Sequence, residues 1–599
     1  MGLLQAAYRT YQTQAHRAGK KTDGEREALT PLAHILQNAQ IEISLSDAGQ
    51  FQGASPVPKE DAKTIIPATM ESANRTSKAV PHPLCDQLGY LDPHGPLCEE
   101  YIQQLTRWAD SPFSHTKVRA VLRYIRGGTI LQDLASAGLI ELREDGSLAN
   151  GKCEGTAYEK CLVRWRIFPA PEGQSSACWK DSSLFDSFAA FYTEKEGQKR
   201  DLCFISGEQD RMCESHPKGT VASSYGAKLI SSNDGAGFTY RGRFAQAEQA
   251  FCVGYTASQM AHNALRWVAA NHGVLMGGRT FLCWNPEGQP VPPIELWDFG
   301  KKEERDFISY RRELQDTLNG YRQGLRQRDV VIAALDAATT GRLSITYYNE
   351  LQGSDFLDRV ESWYETSCWS TRWGIRCPSI WQIVTCAFGT QRGERLEADD
   401  RLLKEHAQQM VHSIVDRQPV PHDVVRALVI RAGTPLAYTP QNREKVLETA
   451  CAMVRKYRRD RHKEEWTLAL DTQNQDRSYL FGRFLAIAEQ VERSTYEREE
   501  GREPNAIRLQ AVFAQRPLYA SRILNERLLP YLARLKPGLR AYYRRLLTEV
   551  MNPLEAEAVK PDRKLDDTYL LGYYHQRAAL FNKKESWTME GQTDADTES

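Results

Sequence analysis

The sequence of 599 residues lacks the short motifs that mark several large enzyme classes. It has no GxxxxGK[ST] loop, whose amides and lysine would hold nucleotide phosphates, and no HExxH zinc motif. The glycine-rich stretch "GAGFTYRGR" departs from the GxGxxG spacing of a dinucleotide fold. These absences favour a non-catalytic protein without a cofactor.

The cysteines lack the pairing that closes a four-ligand metal site. No CxxC occurs among the thirteen cysteines, although Cys203, Cys213 and His216 lie close together in the sequence. A zinc site at these three residues is the alternative, and small buried thiols are the favoured interpretation. Scattered cysteines without a secretory signal are typical of reduced thiols, so we expect a cytoplasmic protein without a metal.

An excess of one charge and a long apolar run are also absent. Seventy-seven basic side chains balance seventy-seven acidic ones, so any argument for nucleic acid must rest on local clusters. No run of about 18 apolar residues occurs, and no membrane span is therefore predicted.

The pattern of apolar residues predicts an α+β fold. Residues 45–100 are rich in Ser, Pro, Ala and Gly, which indicates irregular loops and short strands. "CLVRWRIFP" alternates like a strand, whereas Ala257 to Val268 carries the apolar stripe of a helix. We expect a mixed α/β N-terminal domain with irregular loops, a connecting helical region, a C-terminal α-helical bundle and a disordered acidic tail, at residues 1–350, 351–440, 441–585 and 586–599.

Basic residues cluster in the predicted bundle. From Gly501 to Met551 ten basic side chains face three acidic ones, and a second basic run extends from Arg455 to Lys463. Such a run is as often an ordinary solvated helix face. Tyrosines lie among these arginines, however, and single-stranded nucleic acid is bound by backbone neutralisation combined with base stacking.

The only His-Asp dipeptide, His422-Asp423, is the candidate for a metal-dependent nuclease. Such an enzyme needs several carboxylates or histidines around one or two cations. Because the pair follows a proline and precedes a helical pattern, we interpret Asp423 as a helix N-cap rather than as a catalytic residue.

A polar loop lies in the stretch "SANRTSKAVPHPLCDQLGYL", Ser72 to Leu91. Small hydroxyl and amide side chains stand beside Arg75 and Lys78, and two prolines then precede Leu84, Leu88 and Tyr90. The prolines and the apolar residues after them indicate an anchor that holds the polar loop in place. A surface turn that only caps the first domain is the alternative, since Asn and Ser are common turn residues.

Several segments together resemble the large subunit of the subtype I-C CRISPR Cascade complex. The similar segments include "LLQAAYRTY", "NRTSKAVPHPLCDQLGYL", "HPKGTVASSYGAKLISSNDGAGFTY", "MAHNALRWVAANHG", "GRLSITYYNELQGSDFLDRVESWY", "LFGRFLAIAEQVE" and "YLLGYYHQRAALF". They occur in the expected order up to about Asn582. Two positions depart from the family pattern: its Ser-Phe-Asn is Ser231-Ser232-Asn233 here, and its aromatic-Ser-Tyr-Gly is "FTYRGR".

The resemblance implies a non-catalytic subunit of a crRNA-guided surveillance complex. Such a subunit lies at the crRNA 5′ end, recognises the protospacer-adjacent motif in double-stranded DNA, promotes R-loop formation and recruits a helicase-nuclease for antiviral defence. Base pairing then reads most of the target while the protein reads only the flanking motif. The implied partners are crRNA, duplex target DNA, the displaced single strand, the backbone and small subunits, and the helicase-nuclease. A purely structural scaffold is the other alternative.

Three groups of residues are predicted to make contacts. The polar loop is expected to bind the flanking motif through Asn74, Arg75, Thr76, Ser77 and Lys78. A second loop is expected to contact nucleic acid or another subunit through Ser231, Ser232, Asn233, Tyr240, Arg241 and Arg243. The bundle is expected to line the path of the displaced non-target strand with Arg455, Lys456, Arg458, Arg459, Arg522, Arg540, Arg544 and Arg545.

Overall fold

The computed structural model describes residues 2–75, 79–194, 199–221, 226–231, 243–245, 249, 251–295, 306–496, 502–557 and 560–593, without the side chains of 338, 556–557 and 582–593. Helices and small sheets are mixed along the chain, and the last third is helical. This confirms the predicted α+β fold.

The chain divides into two compact units. The first contains Met1–Leu275, Arg279–Val291 and Arg328–Glu350, and the second contains Met276–Gly278, Pro292–Gln327 and Leu351–Ser599. Residues 292–327 thus belong with the C-terminal unit. The separation of residues 351–585 into a connecting region and a bundle stays a prediction.

The first unit is built around two cores. In one, the Ile41–Ser46 strand pairs antiparallel with Phe51–Pro56 and parallel with Val163–Phe168, the strand predicted from alternation. Ile41, Ile43 and Leu45 are fully buried at every second position of their strand. The helices of this unit are Leu3–Gln14, Met70–Ala73, Leu88–Leu91, Cys98–Ala109, Thr116–Arg126, Ile130–Ser136, Ser182–Thr193 and Tyr255–His272.

The second core lies between helices and a four-stranded sheet. The sheet has the order Val274–Met276, Arg279–Trp284, Asp329–Thr339, Arg342–Gln352. The predicted helix is present as Tyr255–His272 and packs against Leu3–Gln14, with Ala261, Ala264 and Leu265 fully buried. The other strands of the first unit are His34–Asn38, Lys63–Pro67, Lys152–Cys153, Thr156–Ala157, Arg200–Leu202 and Gln209–Arg211.

Within its described residues the second unit consists mainly of helices, with two short hairpins, Trp369–Thr371 with Gly374–Arg376 and Thr390–Arg392 with Arg395–Glu397. Its helices are Phe307–Leu325, Gly353–Ser367, Ile380–Phe388, Asp400–Val415, His422–Ala432, Pro440–Tyr457, Arg477–Arg493, Asn505–Gln515, Pro517–Arg534, Pro537–Met551 and Thr568–Thr593. The last helix continues through residues 586–593, where the sequence favoured a disordered tail, and residues 594–599 lie outside the described part of the chain.

Two glycines bring the central helices of this unit close together. A Cβ atom at Gly482 would overlap the carbonyl oxygen of Tyr569, and one at Gly572 would overlap that of Tyr479. The Arg477–Arg493 and Thr568–Thr593 helices therefore approach backbone to backbone. The two glycines belong to the segments "LFGRFLAIAEQVE" and "YLLGYYHQRAALF", so part of the resemblance in these segments reflects packing.

Candidate nucleic-acid interface

The polar loop follows a short capped helix. Thr69 caps the Met70–Ala73 helix by accepting from the Ser72 amide, and the Ser72 hydroxyl accepts from the Thr69 amide in return. Asn74 ends the helix, where its side-chain amide donates to the Met70 carbonyl at 3.0 Å. The Asn74 Oδ1 atom is buried and has no hydrogen-bond partner. Thr76, Ser77 and Lys78 lie outside the described residues.

Arg75 is held by a buried carboxylate. Its two terminal nitrogens donate to the two Asp86 oxygens at 2.8 and 2.6 Å, and Nη1 also donates to the Val80 carbonyl at 2.9 Å. The guanidinium lies 4.4 Å from the centre of the Tyr90 ring. Asp86 is fully buried, and only 16% of the Arg75 side chain is exposed. Arg75 therefore joins both ends of the polar loop, and three of its five N–H donors are engaged there.

Further donors stabilise the Asp86 carboxylate. The amides of His82 and Gln87 donate to it at 2.6 and 2.7 Å. Burial raises the pKa of Asp86, while Arg75 and these amides act in the opposite direction by stabilising the anion. Asp86 thus connects residues on both sides of the polar loop through its hydrogen bonds.

The predicted anchor is present after the loop. Leu84 and Leu88 are buried, and the Leu84 backbone has a φ of 66°, an unusual value for a branched side chain. Its carbonyl accepts from the Tyr101 hydroxyl at 2.5 Å and from the Trp165 indole at 2.7 Å. These donors hold the chain in a strained conformation, as expected where the surrounding structure fixes a loop.

The second predicted loop falls largely outside the described residues. Ser232, Asn233, Tyr240 and Arg241 are not described, whereas Ser231 and Arg243 are exposed. The contact predicted for this loop stays a prediction.

The basic run after residue 454 has internal partners. Arg455 is buried and donates to the carbonyls of Trp466, Thr366 and Cys368 at 2.9 to 3.3 Å. Lys456 is buried against Asp460 at 2.9 Å, and burial lowers its pKa. These two cations support the fold of the second unit.

The next two cations of this run are also paired. The Arg458 Nε atom donates to Asp567 at 2.7 Å, and Arg459, whose side chain is 44% exposed, lies 3.3 Å from Glu465. The path predicted for the displaced strand at these four residues stays a prediction, and an open row of cations is not what the structure offers there.

Three predicted arginines of the bundle have a different environment. Arg522 on the Pro517–Arg534 helix and Arg544 and Arg545 on the Pro537–Met551 helix are exposed, and none forms an ion pair with a described residue. We call these three residues the outer arginines. Arg540 is half-buried and donates to the Leu535 carbonyl at 3.3 Å.

Aromatic rings accompany the outer arginines. Tyr519 is 53% exposed one turn before Arg522, and the Arg516 guanidinium lies 5.4 Å from its ring. The Arg545 guanidinium lies 5.8 Å from the Tyr542 ring. Of the outer arginines, Arg545 thus lies next to a ring, the half-buried Tyr542, and the exposed Tyr519 ring lies next to Arg516. Guanidinium groups combined with aromatic rings are the components of single-strand binding.

The interpretation of Asp423 as an N-cap is wrong. The helix begins at His422, with Pro421 as its N-cap, so Asp423 lies inside the first turn. A carboxylate in the first turn still stabilises the helix by its interaction with the helix dipole. The His422 ring lies 5.8 Å from the Tyr457 ring, and within the described ranges no three His, Cys, Asp or Glu side chains gather as a metal site.

The two cysteines and the histidine of the suggested zinc site have other contacts. Cys203 packs in a small apolar cluster, Cys213 lies 3.5 Å from the Ser215 carbonyl, and His216 bonds to the Ser258 hydroxyl at 2.8 Å. All thirteen cysteines are unbridged, and twelve are buried. No helix in the described part of the chain is long and apolar enough to cross a membrane.

An α+β unit with a clamped polar loop, followed by a helical unit with unpaired outer arginines, is found here in a CRISPR-associated protein. The chain belongs to the family described as CRISPR-associated protein (Cas_Csd1), whose model matches residues 8–581. This match is consistent with the resemblance to the Cascade large subunit and covers nearly the whole chain. The search of curated proteins finds no match.

Proposed function

We propose that the protein is the non-catalytic large subunit of a type I-C CRISPR Cascade complex. In this role it recognises the protospacer-adjacent motif in double-stranded DNA, promotes crRNA-guided R-loop formation, stabilises the displaced strand and recruits the helicase-nuclease. The family match over residues 8–581 is the observation that carries the proposal. Its partners are crRNA, target DNA, the backbone and small subunits and the helicase-nuclease, in the cytoplasm and without a membrane.

The clamped loop supports recognition of the flanking motif. A loop that reads base edges must be fixed relative to the groove, because only base contacts carry sequence information and they depend on position. The Arg75–Asp86 pair fixes both ends of the loop. Recognition is therefore assigned to Thr76, Ser77, Lys78 and the Asn74 side chain, and Arg75 is assigned the role of positioning them.

The outer arginines support contact with the displaced strand. These exposed arginines, with Arg545 beside Tyr542 and the neighbouring Arg516 beside Tyr519, suit a strand with a flexible backbone and unstacked bases. We centre the path on Arg522, Arg544 and Arg545, with Arg540 beside them, because Arg455, Lys456 and Arg458 have partners within the second unit.

A mobility-shift experiment tests the proposed function. The protein is reconstituted with crRNA and the backbone subunits and bound to duplex targets with the correct or an altered flanking motif. We expect discrimination between the two targets in the complete complex and none without this protein. A purely structural scaffold would leave discrimination unchanged, and cleavage of DNA by the purified protein with a divalent cation would indicate the nuclease alternative.

A further inference from the structure

Three basic residues of the first unit lie side by side on short bridged segments. Lys218 and Lys228 form an antiparallel bridge, and Lys228 and Arg342 form a parallel one. The Gly219 amide donates to the Ala227 carbonyl, so Lys218 and Lys228 face each other as a non-hydrogen-bonded pair. Lys228 also donates to the Gly341 carbonyl and accepts from the Leu343 amide, which fixes it opposite Arg342. We call Lys218, Lys228 and Arg342 the basic row.

The pleat directs the basic row away from the core. Ala227 and Leu343, the chain neighbours of Lys228 and Arg342, are buried in the core that also contains the Leu3–Gln14 helix. Neighbouring residues of an extended segment point to opposite faces. Bridged residues share a face of the sheet, so the three basic side chains project from the same face. The Cα atoms of each bridged pair lie about 5 Å apart, with Lys228 in the middle.

No acidic side chain neutralises the basic row among the described residues. Lys218, Lys228 and Arg342 form no ion pair there, and the Lys228 ammonium donates only to the Ser215 hydroxyl, at 2.8 Å. Burial lowers the pKa of Lys228, and the charge of Lys218 lowers it further. Like charges held this close repel each other, and an anion between them would remove the repulsion.

The basic row lies near the base of the polar loop. The His82 ring, which bonds to the Ser72 hydroxyl at 2.9 Å, has its pKa lowered by burial and by the charges of both Arg75 and Lys218. Lys218 is thus close enough to His82 to act on it electrostatically. The basic row and the loop clamped by Arg75 belong to one region of the first unit.

We infer that the basic row binds the phosphate backbone of the duplex DNA whose flanking motif the polar loop reads. Lysine ammonium groups bind phosphates as point charges and carry no base specificity. The row would position the duplex, and the loop would read it. This inference rests on the proposed function, which supplies the duplex.

The experiment replaces all three side chains with glutamine in the complete crRNA-loaded complex. The Lys218→Gln, Lys228→Gln, Arg342→Gln variant is bound to duplex targets with the correct and the altered motif over a range of salt concentrations. We expect the slope of log affinity against log salt to fall by about 2 to 3, since each lost phosphate contact removes about 0.9. The ratio of affinities for the two motifs should stay unchanged.

A matched variant controls for net charge. Arg143, Lys152 and Lys160 are exposed residues of the first unit, and their replacement by glutamine removes the same charge. An unchanged slope in the basic-row variant, or an equal change in the control, would overturn the inference. If the basic-row variant loses crRNA and the salt slope of duplex binding does not change, the row binds RNA. This result would also overturn the inference.

The wild-type complex and a single variant distinguish failure of the proposed function from failure of the inference. If the wild-type complex does not discriminate between the motifs, the proposed function fails; if it does and the basic-row variant keeps its slope, only the inference fails. Arg342→Gln alone changes one exposed side chain, and its slope should fall by about 0.9, so the test survives if the triple variant does not fold.

Discussion

The Arg75 guanidinium and the Asp86 carboxylate form a two-point ion pair across the base of the polar loop, with N–O distances of 2.8 and 2.6 Å. Asp86 is fully buried and cannot reach a ligand. An effect of Asp86 on DNA recognition would therefore have to pass through Arg75 and the loop. This relationship allows a positioning role to be distinguished from direct contact.

Arg75→Ala and Asp86→Asn are each expected to reduce discrimination between correct and altered flanking motifs, and to a similar extent. Both substitutions break the same pair and release the same loop. Either change should also lower the free energy of unfolding, by about 3 kcal/mol for Arg75→Ala, which leaves a buried carboxylate unpaired. Competition binding with the complete complex measures discrimination, and chemical denaturation measures stability.

The double variant completes this test. Arg75→Ala with Asp86→Asn should discriminate no worse than either single variant, because one interaction is lost in all three. If Arg75→Ala abolishes discrimination while Asp86→Asn preserves it, Arg75 contacts the DNA directly and the positioning role is wrong.

Glutamine at Arg522, Arg544 and Arg545 is expected to weaken binding of the displaced strand. Each phosphate contact to a single strand contributes about 0.7 to the salt slope, so the slope should fall by about 2. The readout is the salt dependence of complex binding to a target that contains the non-target strand, compared with one that lacks it. Thermal stability should change little, since the three side chains are exposed.

Arg459→Gln is the matched control, because Arg459 is half-exposed but paired with Glu465. An unchanged slope is expected for this variant. If the slope changes as much as it does for one outer arginine, Arg459 contacts the displaced strand, and the basic run after residue 454 is part of the strand path. Arg455→Gln, in contrast, should lower the free energy of unfolding by about 3 kcal/mol by leaving buried carbonyls without a donor.

The comparison of these two arginine groups shows what the sequence could and could not predict. Local patterns were sufficient for the Val163–Phe168 strand and the Tyr255–His272 helix, because periodicity reflects which face is buried. Two cations of the basic run looked unpaired because some of their partners are distant in sequence: Asp567 for Arg458, and the carbonyls of Thr366 and Cys368 for Arg455. The acidic partners of Lys456 and Arg459 lie close by in the sequence. Charge counted along the chain cannot reveal neutralisation across the fold.

The same reasoning applies to the polar loop. Its anchor followed from the prolines and leucines, whereas the pairing of Arg75 with Asp86 spans eleven residues and includes a carboxylate not singled out by the sequence. The basic row was missed for a related reason, since its members come from three separate segments. The wrong assignment of Asp423 shows that a proline can take the N-cap position itself.

Gly482→Ala is expected to destabilise the second unit by about 3 kcal/mol or more. The new methyl group would meet the Tyr569 backbone, which cannot move without separating two central helices. Gly320→Ala is the control: Gly320 lies within the Phe307–Leu325 helix, and a Cβ there meets nothing within 4 Å. The control should gain up to about 1 kcal/mol from helix propensity. Denaturant titration measures the free energy of unfolding of both variants and of the wild type. If Gly482→Ala is as stable as the wild type, the close packing at Gly482 is wrong.

Acid is expected to destabilise the second unit through His575. Burial lowers the pKa of His575 from 6.5 to about 3, and the charge of Arg455 adds to this effect while Asp471 opposes it. The ring stacks on Trp369 with centroids 5.0 Å apart and bonds to the Tyr479 hydroxyl at 3.1 Å. Folding therefore requires the neutral imidazole.

The sign of the pH effect follows from these two pKa values. Above pH 6.5 both states hold the neutral ring, and the interactions of His575 contribute fully. As the pH falls towards 3, the unfolded chain gains a proton that the folded chain does not accept, so the free energy of unfolding decreases. At pH 5 the loss from this residue is about 2 kcal/mol relative to neutral pH.

His575→Gln separates this effect from the other titrating groups. The variant loses packing and is less stable than the wild type at pH 7.5, but the difference should narrow by about 2 kcal/mol at pH 5, because glutamine does not titrate. Denaturant unfolding at the two pH values, followed by a signal from the second unit, gives this comparison directly. A difference that stays constant between pH 7.5 and pH 5 would mean that His575 is protonated in the folded protein, and the neutral buried imidazole would then be wrong.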